Sequence, residues 1–471
     1  MPHRIASRAG AAGRDVQLQQ FVNRATDIRD HARVEALDAA FGSRTEAVRT
    51  LAGQIKQHTL DHLDHYVGQF ADAATAAGVH VHFAADGPAA NEICLAIARR
   101  RGCRRCVKSK SMVTEETKLV PALQAAGIEA VETDLGEFII QLDDDAPSHI
   151  VAPMIHKDRR AVGRAFEREI GAPYTEDPAE LTAIARAHMR VQYQRADLGV
   201  SGANFLVAET GTVVICTNEG NADLSVSGPP VHIAFVGIEK LVPRLQDLPV
   251  FLKLLARSAT AQPITIYTTM LTGPRRAADH DGPEEMHVIL VDNGRTRLLA
   301  PDTRELLRCI RCGACLNTCP VYRKVGGGHA YGAVYSGPIG ATITPLLAGL
   351  ENYPDLPHAS SLCGACFDAC PVRIDLPGQL VRRRREMVET RVTGLLERSL
   401  MRAWAWSLRG PRRYRMATRL QRVGLRALGR AGWIRRAPPP LAGWTRERDL
   451  PVPARRSFHD WWKKRERGGR P

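Results

Sequence analysis

Two short runs of cysteine hold the residues of this chain best suited to do chemistry. The first is Cys309-Ile-Arg-Cys312-Gly-Ala-Cys315-Leu-Asn-Thr-Cys319-Pro320. The second, Cys363-Gly-Ala-Cys366-Phe-Asp-Ala-Cys370-Pro371, repeats the last three cysteine positions of the first. Three cysteines separated by two residues wrap a tight loop and turn three thiolates toward one body. Gly313, Ala314, Gly364 and Ala365 are small enough to let the backbone come close to it. The fourth cysteine, carried onto a following helix and past a proline, points away from its own loop.

The spacing C-x2-C-x2-C-x3-C-P is that of bacterial four-iron ferredoxins, in which the fourth cysteine of each run serves the other cluster. The reading assigns Cys309, Cys312, Cys315 and Cys370 to one [4Fe-4S] cluster and Cys319, Cys363 and Cys366 to a second. The second set is one thiolate short, and Ser360 stands where its fourth ligand belongs. Ser360, water or substrate could fill that corner of a [4Fe-4S] cluster, or the site could hold a [3Fe-4S] cluster. A zinc site takes four ligands, and seven cysteines in a double run with two Cys-Pro endings favour iron and sulfur over it.

The remaining four of the eleven cysteines, Cys94, Cys103, Cys106 and Cys216, are scattered over the first half. Cys94 on a helix and Cys216 in a strand read as small buried hydrophobes. Cys103-Arg-Arg-Cys106 is a lone C-x2-C pair, whose flanking Arg101, Arg104 and Arg105 are expected to lower its thiol pKa values. Cysteine used in this way, with no secretory leader and no apolar run of eighteen residues, points to a cytoplasmic protein.

The elements that position these residues follow from periodicity. Residues 15–75 repeat apolar positions at helical spacing, as in Leu37, Phe41, Val48, Leu51 and Ile55. From Val79 the texture alternates: strands at 79–83, 107–111, 128–132, 138–142, 205–208, 211–216, 232–236, 264–267 and 286–291, with helices at 92–101, 115–126 and 178–195. Such alternation indicates an open parallel sheet with crossover helices. The expected organisation is a helical segment over 1–69, an α/β domain over 70–300, a helical di-cluster domain over 301–390 containing a glycine-rich loop at 326–340, and a basic region over 391–471. From Val381 onward, 26 Lys and Arg face 7 Asp and Glu, so the whole excess of the +15 net charge lies there, with all six tryptophans. Pro438-Pro-Pro440 interrupts this tail, and its last thirty residues have the composition of a disordered segment.

The motifs His80-Val-His82, Val107-Lys-Ser-Lys-Ser-Met112, Val131-Glu-Thr-Asp-Leu-Gly-Glu137 and Ser148-His-Ile-Val-Ala-Pro153 resemble the lactate-utilisation protein B family. Glu209-Thr-Gly-Thr212, Thr217-Asn-Glu-Gly-Asn221, Leu271-Thr-Gly-Pro274 and both cysteine runs fit the same family, in unbroken order from residue 15 to about 390. The resemblance implies a Rossmann-like open sheet of the kind shared by sugar-phosphate isomerases and CoA transferases, joined to an α-helical ferredoxin-like domain with two iron–sulfur clusters. It also implies an electron-transfer component of a multi-protein system that oxidises L-lactate to pyruvate without NAD. Two partners go with it, a cysteine-rich protein and a smaller protein bearing the same α/β domain.

Ligands of such sheets bind beyond the carboxyl ends of the strands. That places Lys108, Ser109 and Lys110 as carboxylate holders and makes Glu209, Asn218 and Glu219 the candidate catalytic side chains. Turn formation accounts equally well for the Asn, Gly and Ser among them. No G-x-G-x-x-G and no G-x-x-x-x-G-K-[ST] occurs, so neither a dinucleotide fingerprint nor a P-loop is present. His58, His62 and His65 read as a solvated helix face. Arg382-Arg-Arg-Arg385 reads as a solvated or docking face and not as a nucleic-acid site. The basic tail would dock partners or a membrane surface. The competing readings are an electron carrier for another dehydrogenase, with the α/β domain as scaffold, and a regulatory binding protein.

Overall fold

Three long helices lead the chain. Asp15 caps Val16–Phe41 by accepting the Leu18 N–H at 2.9 Å, and Thr45–Asp61 and Leu63–Ala76 follow. A shorter helix, Ile5–Ala12, precedes them. The computed structural model describes residues 3–439, 441–446 and 448–467, apart from the side chain of His329. Two compact units result, Met1–Val392 and Thr393–Pro471.

The strands of the first unit are, in chain order, β1 (His80–Ala84), β2 (Arg105–Lys108), β3 (Glu129–Glu132), β4 (Leu198–Ser201), β5 (Phe205–Val207), β6 (Thr212–Thr217), β7 (Val231–Gly237), β8 (Leu241–Val242), β9 (Tyr267–Leu271) and β10 (Glu285–Val291). Six form an open sheet in the order β1-β10-β7-β4-β2-β3, every pair parallel. Every residue of β7 is buried, as expected of a central parallel strand covered on both faces. Alternate side chains feed two cores: Val231, Ile233 and Phe235 with Ile289 and Val291 on one face, Ala234 and Val236 with Met286, Val288 and Leu290 on the other. The fold is therefore α/β with an open parallel sheet. A second sheet, β8-β5-β6-β9, stands beside it. Its β5–β6 hairpin turns at Gly211, φ +64, where a Cβ would meet the Ala74 amide nitrogen at 2.3 Å.

Several expected elements are corrected. Residues 138–142 are the end of a helix, Leu135–Leu142, and not a strand. Asp134 caps it by accepting the Glu137 N–H at 3.1 Å, and Leu135, Phe138, Ile139 and Leu142 face Phe166 and Leu181. A short apolar run carries no period of its own, so the cap decided. The helix expected at 115–126 breaks at Lys118, φ 55, into Met112–Thr117 and Leu119–Ala125. The strand expected at 264–267 lies at Tyr267–Leu271, where it pairs with β6. Strand β4 and the helices Arg159–Ile170 and Leu248–Thr260 had no counterpart in the reading of the sequence. The glycine-rich stretch holds the helices Gly328–Tyr331 and Gly337–Ala348 in place of a continuous loop.

The cysteine region does not fold apart from the rest of the first unit. One buried cluster joins Val22 and Leu37 of the leading helix, Phe205 and Phe251 of the α/β region, and Cys312, Tyr322, Ile343 and Val372. In the second unit, helices Leu395–Leu408, Pro411–Leu428 and Phe458–Glu466 accompany a short antiparallel pair, β11 (Trp433–Ile434) with β12 (Leu450–Pro451). Ser457 and Asp460 form a capping box on the last helix, so the described part of the final thirty residues has ordered elements. Pro440 and residues 468–471 lie outside the described residues.

Candidate iron–sulfur site and adjoining pocket

The two cysteine runs fold as copies of one local device. In the first, Arg311 and Gly313 take φ 61 and 77 around Cys312. In the second, Leu362 and Gly364 take φ 58 and 89 around Cys363. A short helix follows each, Ala314–Asn317 and Ala365–Ala369, and each run ends in Cys-Pro. Left-handed residues on both sides of a cysteine turn successive backbone N–H groups inward, making a concavity suited to anionic sulfur. The Arg311 N–H lies 3.4 Å from Cys309 Sγ and the Ile374 N–H 3.3 Å from Cys370 Sγ. The amides of Ala314, Ile339, Val321 and Phe367 likewise serve Cys312, Cys315, Cys319 and Cys366.

The thiols fall into two groups. Burial first, and then Cys309, Cys312 and Cys370, push the Cys315 thiol well up. Cys312 is raised by burial and by the neighbouring Cys309 and Cys370, and Cys370 is pushed up to about 11 by burial, with Cys309 adding to it. In the other group, burial and then Cys363 raise Cys319, and burial with Cys319 and Cys363 pushes Cys366 up to about 12. Burial and mutual repulsion disfavour the bare thiolates, and a metal centre that displaces the protons would relieve that cost. Among the described residues no three cysteine sulfurs lie within 4.8 Å of one another. A zinc ion at about 2.3 Å from each sulfur would hold them about 3.8 Å apart. The sulfurs stand too far apart for one zinc ion, amides donate to them, and these residues fit iron–sulfur clusters.

In the first group Cys312 and Cys370 are buried and Cys309 and Cys315 half-buried; in the second Cys319 and Cys366 are buried and Cys363 is exposed. Arg49 donates to the Cys370 carbonyl at 2.8 Å and to that of Phe367 at 3.1 Å, tying the second run to the helix Thr45–Asp61. The Ser360 hydroxyl accepts the Leu362 N–H at 3.1 Å, closing the turn that enters Cys363.

Beside the first group lies a cavity of about 340 Å³. Ser109 to Ser111 beyond the carboxyl end of β2, Gly202 to Asn204 beyond β4, and Asn218 and Glu219 beyond β6 line it, together with Arg29, Lys240, Arg311 and Tyr335. It thus sits where open sheets take ligands, with one wall made by the cysteine loop. Arg311 packs its guanidinium 4.2 Å from the centre of the Tyr335 ring and 3.6 Å from Glu239. Its Nε and Nη1, and Nη1 of Arg29, are buried without a hydrogen-bond partner. Glu239 also receives Arg295 at 2.6 Å, and Arg295 reaches Glu116 at 2.7 Å, while Lys56 donates to the carbonyls of Glu239 and Leu241. Burial works against the Glu239 charge, yet Arg295, Lys240 and Arg311 hold its carboxyl down to about 2. Burial pulls the Lys240 ammonium down to about 8, against Glu239 and Cys309.

Of the side chains singled out from the sequence, Asn218, Glu219, Ser109 and Lys110 reach this cavity and two do not. Lys108 is fully buried among Glu132, Glu115 and Glu137, at 2.8, 3.4 and 3.8 Å, and holds no ligand. Glu209 sits in the β5–β6 turn, at the opposite end of β6 from Asn218, and accepts the Leu245 N–H at 2.9 Å. Asn218 bonds Gln262 at 2.7 Å and the Ile266 N–H at 3.1 Å. The Cys103 and Cys106 thiols are raised, not lowered: burial dominates both, with Asp197 adding at Cys103. His58 bonds the Tyr66 hydroxyl at 2.9 Å, and Arg382 to Arg385 bond Asp302, Glu386, Pro357 and Glu389 within the chain. Arg311 and Lys240 escaped the reading of the sequence, although Lys240 follows the carboxyl end of the central strand by three residues, and that position is a signal.

Comparison with known proteins adds three matching family models. They are the LUD domain over residues 67–291, a 4Fe-4S dicluster domain over 305–374, and "Lactate utilisation protein B, C-terminal" over 384–467. Lactate utilization protein B of Geobacillus kaustophilus is 45% identical over 428 residues, 90% of each chain. That of Shouchella clausii is 46% identical over 425 residues, 90% of this chain and 89% of its own. A crystal structure of a DUF162 family protein from Deinococcus radiodurans aligns with a TM-score of 0.29 at 15% identity, over 49% of this chain and 98% of that one, too slight a likeness to bear on the fold. Sheet, cysteine loops and tail are each matched in the same order, and the chain belongs to the lactate utilization protein B family.

Proposed function

We propose that the protein is the iron–sulfur electron-transfer component of a system that oxidises L-lactate to pyruvate. The observation that carries the reading is the sorting of seven cysteines into two mutually interacting groups, each in an amide-lined loop. Cys309, Cys312, Cys315 and Cys370 would hold one [4Fe-4S] cluster, and Cys319, Cys363 and Cys366 a second cluster with a non-cysteine fourth ligand or a [3Fe-4S] core. Such clusters supply one-electron transfer. The chain's own contribution is to pack the first group against Tyr322, Ile343 and Val372, while the second opens to solvent at Cys363.

Removing a hydride equivalent from a 2-hydroxy acid takes a base and a two-electron acceptor, so the chemistry is completed with the two partner proteins, in the cytoplasm. The second unit suits docking, with Trp404 and Leu396 exposed and arginines stacked on Trp406, Trp444 and Trp461. No helix among the described residues is long and apolar enough to cross a membrane. Anaerobically prepared protein should contain about seven to eight irons per chain. Its clusters should bleach with L-lactate only when both partners are present. Two irons or fewer, or bleaching by lactate in the isolated chain, would overturn the reading.

A further inference from the structure

The cavity beside Cys309 has more positive charge than the chain cancels. Lys56, Lys240, Arg295 and Arg311 share the carboxylates of Glu239 and Glu116. Arg295 is saturated by its two carboxylates and Lys56 by two carbonyls. Arg311 and Lys240 are not. The Arg311 side chain is 8% exposed, leaves two guanidinium nitrogens without a partner, and lines the cavity. No hydrogen bond joins the Lys240 ammonium to any described residue, and Lys240 lines the cavity too. The unpaired Arg311 nitrogens carry a desolvation cost that an acceptor in the cavity would relieve. On the acidic side of the cavity, Asp134 and Glu219 turn an oxygen each to helix-capping amides, those of Glu137 and Leu135. They do not reach across to neutralise the cations.

We propose that Arg311 and Lys240 bind the carboxylate of a small 2-hydroxy or 2-oxo acid in this cavity, and that Arg311 couples its binding to the redox state of the cluster at Cys309. The proposal rests on the iron–sulfur reading above and extends it by naming the ligand and its holders. The volume, about 340 Å³, admits a three-carbon acid with ordered water and lies at the small end of ligand sites. A guanidinium offers a planar fork matched to a carboxylate. Arg311 stands between Cys309 and Cys312 in the chain, so its charge serves the ligand and the cluster together. An anion bound there offsets the positive field that favours adding an electron, and lowers the cluster's potential. By reciprocity, the reduced cluster binds the acid more weakly. An electron arriving at the cluster would therefore loosen the acid from the site.

The test uses the full chain with both clusters, prepared anaerobically. Spectroelectrochemical titration should find the potential of the buried cluster lower in saturating pyruvate by about 59 mV or more, the equivalent of tenfold weaker binding to the reduced form. Pyruvamide, which lacks the charge, should leave it in place. Calorimetry on the oxidised chain should show pyruvate binding that Lys240→Met weakens at least tenfold with the cluster spectrum unchanged. Arg311→Lys should retain more binding than Arg311→Met. A potential indifferent to pyruvate in protein holding both clusters would overturn the inference and leave the iron–sulfur reading standing. Protein without two clusters would sink that reading instead. An equal shift with inorganic phosphate would overturn the assignment to a carboxylate.

Discussion

Glu239→Gln should cost the protein about 3 kcal/mol at neutral pH. The carboxylate is fully buried and faces Arg295 at 2.6 Å, Arg311 at 3.6 Å and the ammonium of Lys240. Its pKa falls from an ordinary 4.5 to about 2, and at 1.36 kcal/mol per unit that is worth about 3 kcal/mol of stability. An independent figure agrees: removing one partner of a buried ion pair costs about 3–5 kcal/mol, because the other charges stay buried and unpaired. The group's pKa is depressed on folding, so its contribution is complete above pH 4.5 and is lost as the pH falls through about 2. Urea denaturation at pH 7, followed by far-ultraviolet circular dichroism, should show the full difference between variant and wild type. At pH 4 the gap should narrow by somewhat under about 1 kcal/mol. A loss smaller than about 1 kcal/mol at pH 7, or a gap that widens on acidification, would refute the account of Glu239 as the central anion of a buried cationic cluster.

The grouping of thiols makes a sharper claim about ligation: Cys370→Ser should perturb the cluster held by the first run, and Cys319→Ser that of the second, by electron paramagnetic resonance. Substitutions that each affect only the cluster of their own run would show the crossing to be wrong. Truncation after Val392 should leave the cluster absorbance intact, because the first unit holds all seven cysteines, and should weaken association with the partner proteins. Loss of the clusters on truncation would make the second unit part of their support. Glu209→Gln should leave lactate-driven cluster reduction in the assembled system unchanged, since its carboxylate serves the Leu245 amide outside the cavity. A clear loss of rate would return Glu209 to the site.

Local features were legible because local sequence determines them. The spacing of Cys309, Cys312 and Cys315 fixes a loop whichever fold surrounds it, and Val231–Gly237 reads as a buried strand from its apolar residues alone. Where a short segment had no period, the outcome rested on its neighbours. Phe138-Ile-Ile became helical through the Asp134 cap, and Leu198–Ser201, with a glycine at its second position, is a strand because β2 and β7 flank it. Gly199 is required there, since a Cβ would meet the Ser225 carbonyl oxygen at 1.9 Å. The cavity was half legible. Asn218 and Lys110 lie at strand ends, where such sheets bind ligands, but Arg29, Lys240 and Arg311 come from three distant segments that only packing brings together. Lys108 misled because its charge is consumed by Glu132, a partner on the adjacent strand.

The proposed pairing of Cys370 with the first run bears on how the protein is born. At about 5–20 residues per second, a ribosome that has made Cys309 needs roughly 3–12 s to reach Cys370. Through that interval Cys309, Cys312 and Cys315 would form a site of three thiolates with its last corner open, and Cys319 waits a somewhat shorter time for Cys363 and Cys366. With ligands crossed in this way, neither group would close until the second run exists. Iron delivered early would meet an incomplete site exposed to oxidants, so maturation is expected to favour the released, folded chain over the nascent one. The same interlock makes the two sites share a fate. Under the proposed ligation, an oxidant reaching Cys363, the exposed thiol, strikes the run that also supplies Cys370 to the other cluster.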